Sequence, residues 1–197
     1  MLGQGSCDKH GWLFISDEVQ CGLGRSGKWF VYQHAGIEPD VVALAKGLAS
    51  GVPVGACVTG GRAKGVLKPG NHGSTFGGNP LAMTAVVTTL DTVKEEKLLD
   101  NAAHTGGALM QALRERLGQH PGVAEIRGMG LMIGIELKEP CGELVKRALD
   151  AGLVLNVTAD NVVRLLPALV MSEAEALQVA ERLAPLVTAF LDKRAAA

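Results

Sequence analysis

The sequence predicts an α/β protein built in two parts, and three observations carry the prediction. Short apolar runs bounded by turn residues lie near the start: WLFIS at 12–16, VVALA at 41–45 and VGACVT at 54–59. Helix-forming stretches rich in Ala, Leu and Met then extend from Pro80 to about residue 117. After them come four more short runs, VAEIRG, LMIGIEL, LVLNVT and VVRLLPAL, interleaved with helical segments. Brief apolar runs between turn signals read as strands, and their mixing with helices marks an α/β fold.

Taken in order, the first three runs are nearly continuous in apolar character, so they are expected to be buried strands of a parallel or mixed sheet. Pro80 is a good first helical residue, and the helix it opens reaches about Thr92. A second helix spans roughly 95–117 and stops at Gly118 and His120-Pro121-Gly122. VAEIRG and LMIGIEL at 123–137 are expected as strands joined by a Gly-x-Gly turn. A helix at about 142–151 ends at Gly152, a C-terminal cap. LVLNVT and VVRLLPAL add two strands. Ser172, with Glu175 three residues on, forms a capping box for the closing helix. That helix repeats apolar residues at Leu177, Ala180, Leu183, Val187 and Leu191. Pro185 is expected to kink or break it.

Composition narrows the function. The chain has 197 residues, 47% apolar and 20% charged, enough for a sizeable core and unlike a disordered chain. Seventeen of its 26 glycines precede residue 80, without a G-X-Y period. That excludes collagen and points to tight turns and close backbone approach to something bound. Nineteen basic residues against twenty acidic ones give a formal charge of −1, with no basic tract longer than two residues. Nucleic acid is therefore not an expected partner. Cys7, Cys21, Cys57 and Cys141 are widely spaced, without a C-x-x-C pair, and with five histidines make no metal-ligand pattern. Free thiols in a reducing cytoplasm, and no metal, are the expectation. No apolar run approaches the roughly 20 residues of a membrane span, and MLGQGSCDKHG lacks the regions of a signal peptide.

Several residues stand out chemically. Gly22, Gly24 and Gly27 match G-x-G-x-x-G, but a polar stretch separates them from the strand and no helix pattern follows. Trp29 stands where a phosphate loop ending in Gly27-Lys28 needs Ser or Thr, so nucleotide binding is rejected. Lys46 ends an apolar run. It is either solvent-exposed at a strand end or poised as a nucleophilic amine. Asp17 also ends a run, as a ligand group or as a turn residue. In a parallel sheet the carboxyl ends of strands line the ligand crevice, where these two residues would meet. GNHGSTFGGNP at 70–80 is either a flexible turn or an anion site ahead of a helix. Arg164, inside VVRLLPAL, needs a partner if buried: a structural carboxylate or a carboxylate ligand.

Together, DEVQCGLGRSG at 17–27, PDVVALAKGLASG at 39–51, HGSTFGGNPLA at 72–82 and VVRLLPAL at 162–169 resemble the class-III, pyridoxal-phosphate-dependent aminotransferases. The combination of HGSTFGGNP, PVGAC and NVVRLLPAL is most similar to members that use N-acetylornithine, with ornithine and 4-aminobutyrate users as near relatives. The resemblance implies amino transfer between N-acetylornithine and 2-oxoglutarate in arginine biosynthesis, with pyridoxal 5′-phosphate as cofactor. It implies that Lys46 bonds to the cofactor and moves the substrate proton, that Asp17 pairs with the ring nitrogen, that Gln20 bonds the ring hydroxyl and that Val19 packs on the ring. Ser74 and Thr75 join the cofactor set. Thr75 reaches the phosphate held by the neighbouring subunit of a cytoplasmic homodimer. Arg164 binds the substrate α-carboxylate, and Arg25 is structural.

The resemblance also sets the architecture: the C-terminal part of a fold-type-I transferase. Residues 1–95 would be part of the large cofactor domain, 96–117 a linking helix and 118–197 the small C-terminal domain. The family's upstream phosphate loop, ring-stacking aromatic and further substrate-binding residues have no counterpart in 1–11. A sheet lacking several strands is expected to leave edges and apolar faces uncovered. By lineage the chain is an enzyme. As half of one, it is expected either to keep the lysine with little turnover or to act as a non-catalytic module that needs a separate N-terminal half.

Overall fold

The computed structural model describes residues 2–195. They fall into two compact units. Residues up to Gly24 with Lys28–Leu99 form the first, and Arg25–Gly27 with residues from Asp100 onward form the second.

The first unit holds α1 (Leu2–His10), β1 (Ile15–Asp17), β2 (Val41–Leu44), β3 (Ala56–Thr59) and α2 (Pro80–Glu95). The strands lie in the order β1-β2-β3. β1 runs parallel to β2, with Ile15 opposite Val41 and Asp17 opposite Ala43. β3 returns antiparallel, with Leu44 opposite Ala56. One carboxylate pins the start of this sheet. Asp40 accepts from the Phe14 and Arg62 backbone N–H groups, each at 2.8 Å, and from Arg62 Nη2 at 2.8 Å. The Arg62 guanidinium and then the Phe14 N–H hold the Asp40 carboxyl well below the usual carboxylate range.

The expectation of three buried strands is corrected. Along β2 only alternate residues are buried: Val42 and Leu44 join Leu23 and Leu48 in a small core, against which Val86 and Leu90 of α2 pack. Every residue of β3 is exposed, and Ile15 is 60% exposed. The alternation along β2 means packing on one face, and a three-stranded sheet keeps both edges open. The uncovered edges and apolar faces are therefore as expected. α2 opens as read: Asn79 Oδ1 accepts from the Ala82 N–H at 3.0 Å, with Pro80 in the first turn. The glycines at 22–27 lie in turns and are followed by a short 3-10 turn at Val31–His34, so no nucleotide-binding helix opens there.

The second unit holds α3 (Leu98–Leu117, from Asp100 on), β4 (Val123–Met129), β5 (Met132–Leu137), α4 (Glu143–Asp150), β6 (Asn156–Thr158), β7 (Val162–Leu165) and α5 (Glu173–Ala195). Its sheet is antiparallel throughout, in the order β4-β5-β7-β6. Ile133, Ile135 and Leu137 alternate along β5 onto one face. There they form a single core with Leu109, Leu113 and Leu117 of α3, Leu144 of α4, and Leu183, Val187 and Phe190 of α5. α4 ends in the expected glycine, Gly152 at φ +74°, whose N–H donates to the Leu149 carbonyl at 3.0 Å.

The capping box also forms. Ser172 N–H donates to Glu175 Oε2 at 2.8 Å, and the Glu175 N–H donates to Ser172 Oγ at 3.3 Å. Pro185 does not break the closing helix, since α5 runs unbroken through it. The missing hydrogen bond and ring clash cost about 3 kcal/mol. Burial of Leu183, Val187 and Phe190 on either side, each fully buried, offsets that at roughly 1.5–3 kcal/mol apiece.

The β4–β5 turn is the tightest joint in this unit. A Cβ at Gly106 in α3 would lie 2.1 Å from the Gly130 carbonyl oxygen, so helix and hairpin touch backbone to backbone. Arg25–Gly27 threads beside the same turn. Leu131 N–H donates to the Arg25 carbonyl at 2.9 Å, and Arg25 Nη1 donates to the Pro167 carbonyl, in keeping with a structural Arg25. Burial lowers the Arg25 pKa. All four cysteines are free thiols, and no described helix is long and apolar enough to cross a membrane.

Candidate functional site

Two adjacent parallel strands deliver Asp17 and Lys46 to the same end of the first sheet. Asp17 is the last residue of β1 and sits opposite Ala43, so Lys46 leaves β2 only three residues beyond that pair. The sequence stops both strands locally. After β2 the chain turns at once into a short 3-10 turn at Lys46–Ala49, entered with Lys46 at φ +49° and closed by Ser50 at φ +50°. Lys46 and Ser50 are two of six non-glycine residues among those described with φ in the left-handed region. The Lys46 side chain is exposed, and among the described residues nothing accepts from its ammonium group.

Alternation separates the acidic pair after β1. Asp17 is exposed, and among the described residues its Oδ1 accepts only from the Val19 N–H, at 3.0 Å. Glu18 turns the other way and is 1% exposed. Its Oε1 accepts from Ser16 Oγ and the Tyr32 N–H, both at 3.1 Å, and its Oε2 accepts from the Val31 N–H at 3.0 Å. This carboxylate ties the start of the 19–30 loop to its end, which holds the half-buried Val19 and Gln20 just beyond Asp17. The sequence singles out Asp17 but not this division of labour with Glu18. A period-2 count along β1 was the signal available. The neighbouring Cys21 thiol, which donates to Glu18 Oε2 at 3.4 Å, is pushed up to about 11 by burial and then by the Glu18 charge.

Ser74 and Thr75 lie on an exposed stretch ahead of α2, and α2 packs against the Lys46–Ala49 turn. Ser74 Oγ accepts from the Gly77 N–H at 3.0 Å, folding the loop on itself. The first unit thus brings together Asp17, Val19, Gln20 and Lys46, with Ser74 and Thr75 on a loop of the same unit. Arg164 belongs to the second unit. It is half-buried rather than buried, and among the described residues its partner is not a structural carboxylate but the Asn156 amide, with Nε donating to Oδ1 at 3.1 Å. It borders a cavity of about 380 Å³ lined by Leu155, Leu166 and Met171 among others.

The donor set suits pyridoxal phosphate. An amine without an acceptor can bond to an aldehyde carbon. A carboxylate with one oxygen left over can hold a proton on a ring nitrogen, and a small apolar side chain and a carboxamide, Val19 and Gln20, follow two and three residues after it. Among the described residues, no group of histidine, cysteine and carboxylate side chains is arranged to hold a metal ion.

Comparison with known proteins gives the same direction. The pattern of the family Aminotransferase class-III matches residues 4–187. The acetylornithine aminotransferase of Nitrosomonas europaea is 56% identical over 188 residues, covering 95% of this chain and 48% of that protein. Among solved structures, the acetylornithine aminotransferase of Elizabethkingia anophelis superposes with a TM-score of 0.86 at 34% identity, over 94% of this chain and 48% of that one. The ornithine aminotransferase of Toxoplasma gondii, crystallised with oxidised glutathione and partly occupied by pyridoxal phosphate at its active site, superposes at 0.89 with 35% identity, over 97% of this chain and 46% of that one. The chain spans about half the length of the curated relatives it matches. Its architecture is that of a partial fold-type-I transferase, the fold of this pyridoxal-phosphate-dependent family. With the family pattern running over nearly its whole length and most positions identical to those of a curated member, the chain belongs to the class-III aminotransferases.

Proposed function

We propose that this chain carries the cofactor-bonding half of an aminotransferase that moves the amino group between N-acetylornithine and 2-oxoglutarate in arginine biosynthesis. The observation that supports this most directly is the delivery of Asp17 and the unpartnered Lys46 amine to one end of two adjacent parallel strands. When bound, pyridoxal phosphate supplies the carbonyl that takes up the amino group and an electron-withdrawing ring. The Lys46 amine would hold it through a bond to its aldehyde carbon, the oxygen leaving as water, and as a free amine would move the proton at the substrate Cα. Asp17 holds a proton at the ring nitrogen, because a carboxylate at hydrogen-bond distance favours the charged ring. Gln20 bonds the ring hydroxyl and Val19 packs on its face. Ser74 and Thr75 serve the phosphate, Thr75 across a homodimer interface in the cytoplasm. Arg164 holds the substrate α-carboxylate through its planar fork. In this reading residues 1–95 belong to the large domain, 96–117 link, and 118–197 form the small domain.

A second reading is favoured by the wholly exposed β3 and the open β1 edge. In it, turnover requires a separate chain that supplies the rest of the sheet. One experiment addresses both. The chain is mixed with pyridoxal phosphate, reduced with borohydride and mapped by mass spectrometry. A reduced adduct on Lys46 that disappears in Lys46→Ala is expected. Labelling spread over surface lysines, unchanged in Lys46→Ala, would refute the assignment. A Lys46 adduct with little transamination of N-acetylornithine supports the first reading, and activity that appears only with a complementing chain supports the second.

A further inference from the structure

We infer that Asn156 is a positioning residue: it takes the Arg164 Nε–H so that the guanidinium presents its two terminal nitrogens, end-on and fully charged, to a substrate carboxylate. The inference rests on the reading of Arg164 as the carboxylate holder and deepens it.

The placement follows from the sheet. Val163 and Leu165 are buried in the core of the second unit, so Arg164 between them lies on the other face of β7. On that face its cross-strand neighbours are Asn156 in β6 and Gly134 in β5. Gly134 offers no side chain, which leaves Asn156 as the group beside the guanidinium. Arg164 Nε donates to Asn156 Oδ1 at 3.1 Å. Arginine has only donors, so the amide can meet it only through its oxygen.

The choice of partner matters chemically. A guanidinium can grip a carboxylate through Nε and one terminal nitrogen, or end-on through both terminal nitrogens. With Nε engaged, only the end-on pair remains, and among the described residues no acidic side chain competes for it. An aspartate at 156 would orient the group equally well but would cancel its charge and occupy the fork. A neutral amide fixes the orientation and leaves the charge for the ligand.

The test uses the full chain and 2-oxoglutarate as the probe. In [15N]arginine-labelled protein, the Arg164 Nε–H is identified by its loss in Arg164→Ala. It should exchange slowly with solvent in the wild type and rapidly in Asn156→Ala, before any ligand is added. Calorimetric titration should show binding lost in Arg164→Ala, weakened roughly 3- to 10-fold in Asn156→Ala, and weakened further in Asn156→Asp. Asn156 is exposed, and far-UV circular dichroism verifies the fold of each variant. If Arg164→Ala loses binding but Asn156→Ala binds within twofold of wild type, or its Nε–H exchange is unchanged, the inference on Asn156 is overturned alone. Binding by Asn156→Asp equal to wild type overturns it too. If Arg164→Ala binds as tightly as wild type, or the wild-type chain does not bind, the carboxylate role of Arg164 falls and the inference with it.

Discussion

Adjacent glycines in α3 should respond in opposite directions to the same substitution. Gly107 is exposed, and a Cβ there meets nothing within 4 Å. Gly107→Ala should therefore gain only the helix propensity of alanine, about 0.5–1 kcal/mol. Gly106 is buried, and its Cβ would lie 2.1 Å from the Gly130 carbonyl oxygen and 2.2 Å from the carbonyl carbon. Real Cβ atoms essentially never come closer than 3.0 Å, so helix and hairpin must part by about 1 Å. The opposing atoms are backbone and cannot rotate away. Overpacking costs typically about 1–3 kcal/mol, and a backbone clash sits at or above the top of that range. After the propensity gain, Gly106→Ala should lose at least about 2 kcal/mol. At ~2–4 °C per kcal/mol for a chain of this size, Gly107→Ala should melt about 1–4 °C higher and Gly106→Ala at least about 4 °C lower. Trp12 and Trp29 both lie in the first unit, so the assay is far-UV circular dichroism with hydrogen exchange on α3 peptides rather than fluorescence. A Gly106→Ala chain that melts at or above wild type, with unchanged exchange across 98–117, would refute the backbone contact between α3 and the β4–β5 turn.

The Asp40 carboxyl gives a pH test. Its folded pKa lies below its unfolded value, so its contribution is present above about pH 4 and is lost as pH falls through the folded value. Asp40→Asn should therefore lower stability at neutral pH and flatten the loss on acidification in urea titrations; a parallel acid limb in the variant would count against the Asp40–Arg62 clamp. Thiol chemistry gives another. At pH 8, maleimide should label the exposed Cys57 first, with Cys21, its pKa near 11, and the buried Cys141 far behind. Cys21 labelling as fast as Cys57 would contradict its burial against Glu18.

Much of the local structure was legible because local signals were strong. Pro80 through its fixed φ, and Ser172 with Glu175 and Gly152 through one or two hydrogen bonds close in sequence, each specify a helix end, and each formed where it was read. Signals failed where distant residues decide. Pro185 predicts a break, yet long-range packing of Leu183, Val187 and Phe190 carries α5 through it. VGACVT reads as a buried strand, but the burial of β3 depends on neighbours across its open edge, which no local run encodes. Arg164 called for a partner, but its identity came from the β6–β7 register, which sets Asn156 opposite. Glu18 and the Asp40–Arg62 clamp escaped notice for the same reason, since their partners lie 13 to 22 residues away.

The glycine surplus shows where this boundary lies. Residue order alone was enough to name the family and its candidate lysine and aspartate, because motif chemistry depends on residue type at short spacing. It was also enough to place the turns, and Gly24, Gly27, Gly51 and Gly78 do take positive φ around those motifs. It could not separate Gly106 from Gly107, identical neighbours in one helix. One meets the Gly130 carbonyl and the other meets nothing, and only the docking of a hairpin more than twenty residues away makes them differ.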